Sequence, residues 1–403
     1  MMKKMIGGLI AAIGLLAFSG PIVQADEEAL HVGKHGLKKM EIQSRELPVS
    51  IVRFAFDSGY TFTYPDAVRG IYVTGHSAGG ERFQRLLNLV NKTDLNSMVI
   101  DIKDDHGYLT YIPDEEDSPF MDIAQPFIND PTAMMKTLED NDIYPIGRIV
   151  VFKDSVLAKE RPDLSFQEND KVWVNGRKEA FVNPFMKEVW DYNIDIAIEA
   201  AKMGFQEIQF DYVRFPEGFE TRDTILKYDY GKYKDLEMDN VQKRVEAVTD
   251  FVEYARERLE PYNIQVSVDI FGYTATLPEA PGIGQNFSRI SKHVDVISSM
   301  IYPSHWTSYF GIAKPDTEPY KLIAEYAKLE NAILDDLENR PVSRPWIQDF
   351  TASWLGDGNY ILYGPKEVEA QIRALNENGI DEFLLWNAGN SYTENVDYTP
   401  LNN

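Results

Sequence analysis

Phe205-Gln206-Glu207-Ile208-Gln209-Phe210-Asp211-Tyr212-Val213-Arg214-Phe215-Pro216 decides the fold. Apolar Ile208, Phe210 and Tyr212 alternate with Gln209 and Asp211. The run reads as a buried strand that ends in Asp, Arg and Pro. A strand covered on both faces should be apolar throughout. A carboxylate on its inner face, at its C-terminal end, therefore needs a reason. In barrels of alternating strands and helices that reason is catalysis, because active sites occupy that rim.

Working outward, short apolar runs recur at 69–75, 97–103, 145–152, 264–270, 294–301, 344–350 and 381–386. With 206–212 they make eight strand candidates. Helical stripes lie between most of them. Phe83, Leu86, Leu87 and Val90 form one; Ile194, Ala197, Ile198 and Ala201 form another, closed by Gly204. Val241, Val245, Val248, Val252 and Ala255 form a third, and 321–337 and 365–378 add two more. Such alternation predicts an α/β fold, a (β/α)8 TIM barrel over 68–395. A short N-terminal extension (26–67) precedes it and a C-terminal tail (396–403) follows. The stretches 153–183 and 215–237 read as rim loops.

The first 25 residues read as an export signal. Lys3 and Lys4 precede an apolar run from Ile6 to Phe18, and Val23-Gln24-Ala25 offers a small-residue cleavage site before Asp26. The run is short for a bilayer span. The expectation is a secreted or cell-envelope protein with no integral membrane segment once the leader is cleaved. The chain has no Cys, which excludes thiolate catalysis and thiolate zinc. Its net charge of −24 would repel phosphate backbones, so nucleic acid is not an expected partner. No metal-ligand pattern and no redox cofactor are implied.

The fifth strand repeats the design of the fourth. In Ile264-Gln265-Val266-Ser267-Val268-Asp269-Ile270, Ser267 and Asp269 fit the interior. Adjacent strands lie about 4.8 Å apart. Asp211 and Asp269 could thus approach the ~5–5.5 Å separation that suits a retaining glycosidase. One would attack the anomeric carbon while the other, its pKa raised by burial and by its neighbour, protonates the leaving oxygen. Other strand ends supply Asp101 and Lys103, which share a face and could pair inside the barrel. They also supply Tyr302, His305, Trp346, Asp349, Trp386 and Asn387. Rings stack on the apolar faces of pyranoses, and Asp, Asn and Gln bind hydroxyls. Arg214 completes the candidate sugar contacts. Each has a plainer alternative. Asp211 could be neutralised by Arg214 or Lys103, Asp269 could orient a partner, the tryptophans could be core, and His305 could cap a loop.

Five segments carry a resemblance: Arg69-Gly70-Ile71-Tyr72-Val73-Thr74-Gly75, 96–107, Phe210-Asp211-Tyr212-Val213-Arg214-Phe215-Pro216, Val268-Asp269-Ile270-Phe271-Gly272 and Met300-Ile301-Tyr302-Pro303-Ser304-His305-Trp306. Together they resemble a bacterial family of glycosyl hydrolase domains, over about residues 68–392. The resemblance implies a TIM barrel related to the alpha-amylase-like enzymes, with acids ending strands four, five and seven. Asp211, Asp269 and Asp349 hold comparable places, and Asp269 stands where amylases carry Glu. The strand-four motif also looks like that of chitinases, but Asp211 is followed by Tyr212 and Val213 without their acidic Glu.

One motif competes. Gly75-His76-Ser77-Ala78-Gly79 matches the nucleophile elbow G-x-S-x-G, which would make the chain an esterase using Ser77, Asp269 and His293 or His305. A barrel that binds polysaccharide without cleaving it is the third reading.

Overall fold

The structure, a computed structural model, describes residues 56–399. The expected leader, most of the extension and residues 400–403 lie outside them. All eight expected strands form, with ends shifted by at most two residues. They are β1 (Arg69–Val73), β2 (Ser97–Lys103), β3 (Tyr144–Val150), β4 (Glu207–Asp211), β5 (Gln265–Phe271), β6 (Val296–Met300), β7 (Trp346–Gln348) and β8 (Phe383–Trp386). Each pairs in parallel with the next. β8 returns to β1 through Arg69↔Phe383 and Gly70↔Leu384, so the sheet closes. The fold is a (β/α)8 TIM barrel.

Alternation along the strands sorts side chains into two layers. Outward residues such as Ile71, Ile100, Ile149, Phe210, Val268 and Leu385 meet the helices in the larger core. Inward residues include Tyr72, Val99, Ile146, Trp346 and Leu384. The outer helices are α1 (Arg82–Val90), α2 (Pro131–Asp140), α3 (Lys187–Met203), α4 (Asn240–Leu259), α5 (Phe287–Ser291), α6 (Pro319–Asp335) and α7 (Pro365–Glu377). α2 starts where Asp130 accepts the Ala133 amide at 2.8 Å and Pro131 takes the first helical position. α3 ends at Gly204, whose φ of 115° suits only glycine. Past β8 the described residues hold no helix. The chain instead runs down the wall, where Tyr398 stacks on Phe383 and Thr399 reaches Asp94.

At the N-terminal end the barrel is plugged by charge. Arg344, fully buried just before β7, donates to Glu207 on β4 at 2.8 and 2.9 Å. It also donates to Glu382 at 2.7 Å and to the Tyr64 hydroxyl at 2.9 Å. Removing one member of a buried ion cluster strands the others in low dielectric. Arg344→Met is expected to lower unfolding free energy by about 3–5 kcal/mol at neutral pH. Urea titration reads this, and a loss below about 1 kcal/mol would mean the cluster contributes little beyond an apolar plug.

Candidate active site

The eight strands aim their C-terminal ends at one cleft of about 1000 Å³. Asp211 ends β4 and Asp269 sits near the end of β5. Register pairs Phe210 with Val268, so the next residues, the two acids, stand side by side. Both line the cleft.

Their surroundings differ. Asp211 Oδ2 accepts two bonds from Arg148 on β3, from Nε at 3.0 Å and Nη2 at 2.6 Å. Its Oδ1 accepts the Tyr212 backbone N–H at 2.6 Å. Tyr212 holds a left-handed φ of 52°, which costs a side-chain-bearing residue on the order of 1 kcal/mol. That turn aims the amide back at the carboxylate. Charge-assisted bonds of this kind are short and about twice as strong as neutral ones. Asp269 has one such donor, the Trp346 indole N–H at 2.8 Å. Burial, then the negative Asp211 beside it, push the Asp269 carboxyl well above the usual carboxylate range, against the pull of Arg148. The two neighbouring acids thus sit in contrasting surroundings, one bound by a guanidinium and an amide, the other by a single indole N–H.

Arg148 is 1% exposed and holds three carboxylates together. Besides Asp211 it donates from Nη1 to Asp101 at 2.7 Å and lies 3.4 Å from Asp105. Burial raises Asp101 to about 6 although Arg148 opposes it, and the Tyr72 hydroxyl donates to its other oxygen at 2.6 Å. For Asp105 burial also pushes upward, but Arg148 and Lys153 outweigh it and hold the group at about 2. Lys153 pairs with Asp105 at 2.7 Å and lies 3.9 Å from the centre of the Tyr212 ring.

The remaining expected residues divide. Tyr302, His305, Trp346 and Trp386 line the cleft with Arg214. Trp386 stacks on Tyr72 at 4.3 Å and meets Trp346 edge-on at 5.5 Å. Arg214 bonds Glu217 at 3.2 Å and lies over Tyr212 and Phe271, each at 4.7 Å. The charge beside Asp211 comes from Arg148, not from Arg214 or Lys103.

Lys103 does not pair with Asp101. A register shift between them turns Lys103 out of the barrel, where it bonds Asp154 at 2.6 Å and Asn193 on α3 at 2.9 Å. Asp349 faces the C-terminal segment, accepting the Thr393 amide at 2.9 Å. Asn387 shapes that same segment by donating to the Asp349 and Ser391 carbonyls. The sequence reading passed over Arg148, Tyr72, Asp105, Lys153 and Tyr212. Arg148 carried a signal: a lone charge within Ile146-Gly147-Arg148-Ile149-Val150-Val151.

The Ser77 motif forms a short helix, Gly75–Ala78, capped by Thr74. The Ser77 hydroxyl lies 3.1 Å from Thr74 Oγ1. Its expected partners are engaged elsewhere. Asp269 bonds Trp346, His293 lies 3.7 Å from Glu253, and His305 contacts Ser304 at 3.0 Å. The glycines serve packing: a Cβ on Gly79 would fall 1.7 Å from the Phe127 carbonyl oxygen. Ser77→Ala is expected to leave glycan hydrolysis within about twofold and to cost at most about 1 kcal/mol of stability, one net hydrogen bond. A tenfold fall in turnover would restore the serine to the chemistry.

A closed barrel with paired acids and aromatic walls at its C-terminal mouth defines a TIM-barrel glycoside hydrolase. Residues 70–392 match the family described as "Putative glycosyl hydrolase domain", and the chain belongs to that family. No curated protein matches it. Among solved structures, a hypothetical protein from Ruminiclostridium thermocellum is 33% identical, covering 49% of this chain and 96% of its own, with a TM-score of 0.42. The PgaB (BpsB) glycoside hydrolase domain from Bordetella bronchiseptica is 16% identical, covering 80% and 95%, with a TM-score of 0.53. A beta-galactosidase from the psychrophilic Marinomonas ef1 is 10% identical, covering 79% and 54%, also at 0.53. The last two likenesses are of fold.

Proposed function

We propose that this glycoside hydrolase is exported and cleaves an extracellular or cell-envelope polysaccharide with retention of anomeric configuration. Asp211 is the nucleophile and Asp269 the acid/base. The observation that carries the reading is the contrast between the neighbours: Asp211 bound by a guanidinium and an amide, Asp269 by one indole N–H.

In the first step an Asp211 oxygen attacks the anomeric carbon. Oδ1 carries a single N–H donor and keeps a lone pair for this, whereas Oδ2 is held twice by Arg148. The glycosidic C–O bond breaks and Asp269 gives its proton to the departing oxygen. Esterification removes the negative charge of Asp211. That charge raises Asp269, so its loss lowers the Asp269 pKa and readies the carboxylate as a base. Water then attacks the anomeric carbon, its proton passes to Asp269, and the ester bond to Asp211 breaks. Trp386, Tyr302, Trp346 and His305 wall the sugar-binding space.

Asp269→Asn tests the assignment. General acid catalysis contributes about 10²–10⁴-fold, so reducing-end release from polysaccharide should fall by that factor. The loss should be far smaller on a 2,4-dinitrophenyl glycoside, whose leaving group needs no proton. The alkaline limb of the rate profile, set by loss of the Asp269 proton, should disappear. An unchanged alkaline limb would remove Asp269 from the role. Equal and negligible release by parent and variant, with glycan still bound, would favour the binding protein.

A further inference from the structure

Trp354 is 64% exposed, while among the described residues only Tyr273 and Tyr309 of the other Phe, Tyr and Trp rings stand exposed, at 38% and 36%. It sits in the loop between β7 and α7, on a single turn, Ser353–Leu355. One face stacks on Phe350, with centroids 5.8 Å apart and planes 22° from parallel. Phe350 in turn meets two residues of the cleft edge-on, Tyr302 at 6.1 Å and His305 at 6.5 Å. A line of rings thus leaves the cleft and ends in an open indole face.

The loop is held in place. Ala352 is fully buried. The Phe350 carbonyl accepts from Gln348 at 3.0 Å, the Tyr363 amide donates to Thr351 at 3.0 Å, and Lys314 grips the Gly358 carbonyl at 2.6 Å. The anchored loop thus holds the ring at a fixed place beside the cleft, joined to it through Phe350. Its occupant follows from continuity with the cleft. A planar indole matches the apolar C–H face of a pyranose, and the stack on Phe350 fixes its tilt before any ligand arrives.

We propose that Trp354 is a glycan platform outside the catalytic cleft, taking a sugar ring of a chain that extends beyond the residue held at Tyr302. This rests on the hydrolase reading and deepens it: the substrate is a long polymer, gripped away from the scissile bond.

The test separates binding from cleavage. Asp211→Asn, inactive, is run in native gels cast with xylan, galactan, pullulan, hydroxyethyl cellulose or glycol chitosan. Retardation by at least one polymer is expected. Adding Trp354→Ala should weaken the apparent affinity for that polymer about tenfold, and Trp354→Phe should recover most of it. Equal migration of Asp211→Asn with and without Trp354→Ala, in every polymer, overturns the platform. Sugar release by the parent protein is scored separately. Trp354-dependent retardation without any release would sink the hydrolase reading and leave the platform standing.

Discussion

Arg148→Met should destabilise the protein by about 3–5 kcal/mol at neutral pH and bring sugar release close to background. The guanidinium is buried and bonds Asp211 and Asp101, with Asp105 3.4 Å away. Methionine fills much of the same volume and carries no charge. Asp211 and Asp101, both buried, would then face each other beside the part-exposed Asp105, with only Tyr72, Lys153 and the Tyr212 amide to offset them. The pH dependence supplies the sharper test. In the parent protein Asp105, held at about 2, contributes stability that is present above its unfolded value and lost as pH falls through about 2. Asp101, raised to about 6, works the other way: stability falls as pH rises from the unfolded value toward 6. Without Arg148, Asp101 loses the charge that opposes its burial and Asp105 loses one of the two that lower it, so both hold protons more readily than in the parent fold. The deficit should therefore shrink on acidification. Urea unfolding at pH 7.5 and pH 5 should show a smaller gap between variant and parent at the lower pH. A gap of equal size at both would mean that the guanidinium does not compensate these carboxylates.

The same cluster shows what a linear sequence discloses. Asp211 and Asp269 were legible because each stands at the C-terminal end of a strand whose alternate, helix-facing residues are apolar. Period two then fixes the direction of both. Arg148 obeys the same logic on β3, as a lone charge within an apolar run. Lys103 was misplaced for a different reason. Strict alternation puts it beside Asp101, but the register shift in between reverses every direction past it. Asp349 depends on Thr393, a contact 44 residues away that no local pattern encodes. The wall after β8 was equally opaque: Val396 and Tyr398 are buried there, two residues apart, in a segment with no helical period. Local periodicity thus supplied the strands and most of the helices. Pairings between distant segments completed the site.

Asp211→Gly should lower hydrolysis of a 2,4-dinitrophenyl glycoside on the order of 10⁴-fold, because the attacking atom is gone while the rest of the cleft remains. Truncation also empties the space beside Arg148. A buried guanidinium facing a vacated carboxylate position attracts a small anion, so added azide should restore turnover many-fold. Asp211→Asn should not respond, since its amide still fills the space. The products decide the chemistry. Azide entering from the Asp211 side attacks the anomeric carbon once and gives a glycosyl azide of inverted configuration. The parent, displacing twice, releases sugar of retained configuration, which proton NMR of the first product would show. Inverted sugar from the parent together with inverted azide from the variant would mean a single displacement, with Asp211 activating water instead of bonding to carbon. A glycine variant that keeps a tenth or more of the parent rate without azide would take Asp211 out of the reaction. The nucleophile would then have to be sought among the other acids lining the cleft, beginning with Asp105, 3.4 Å from the same guanidinium and paired with Lys153.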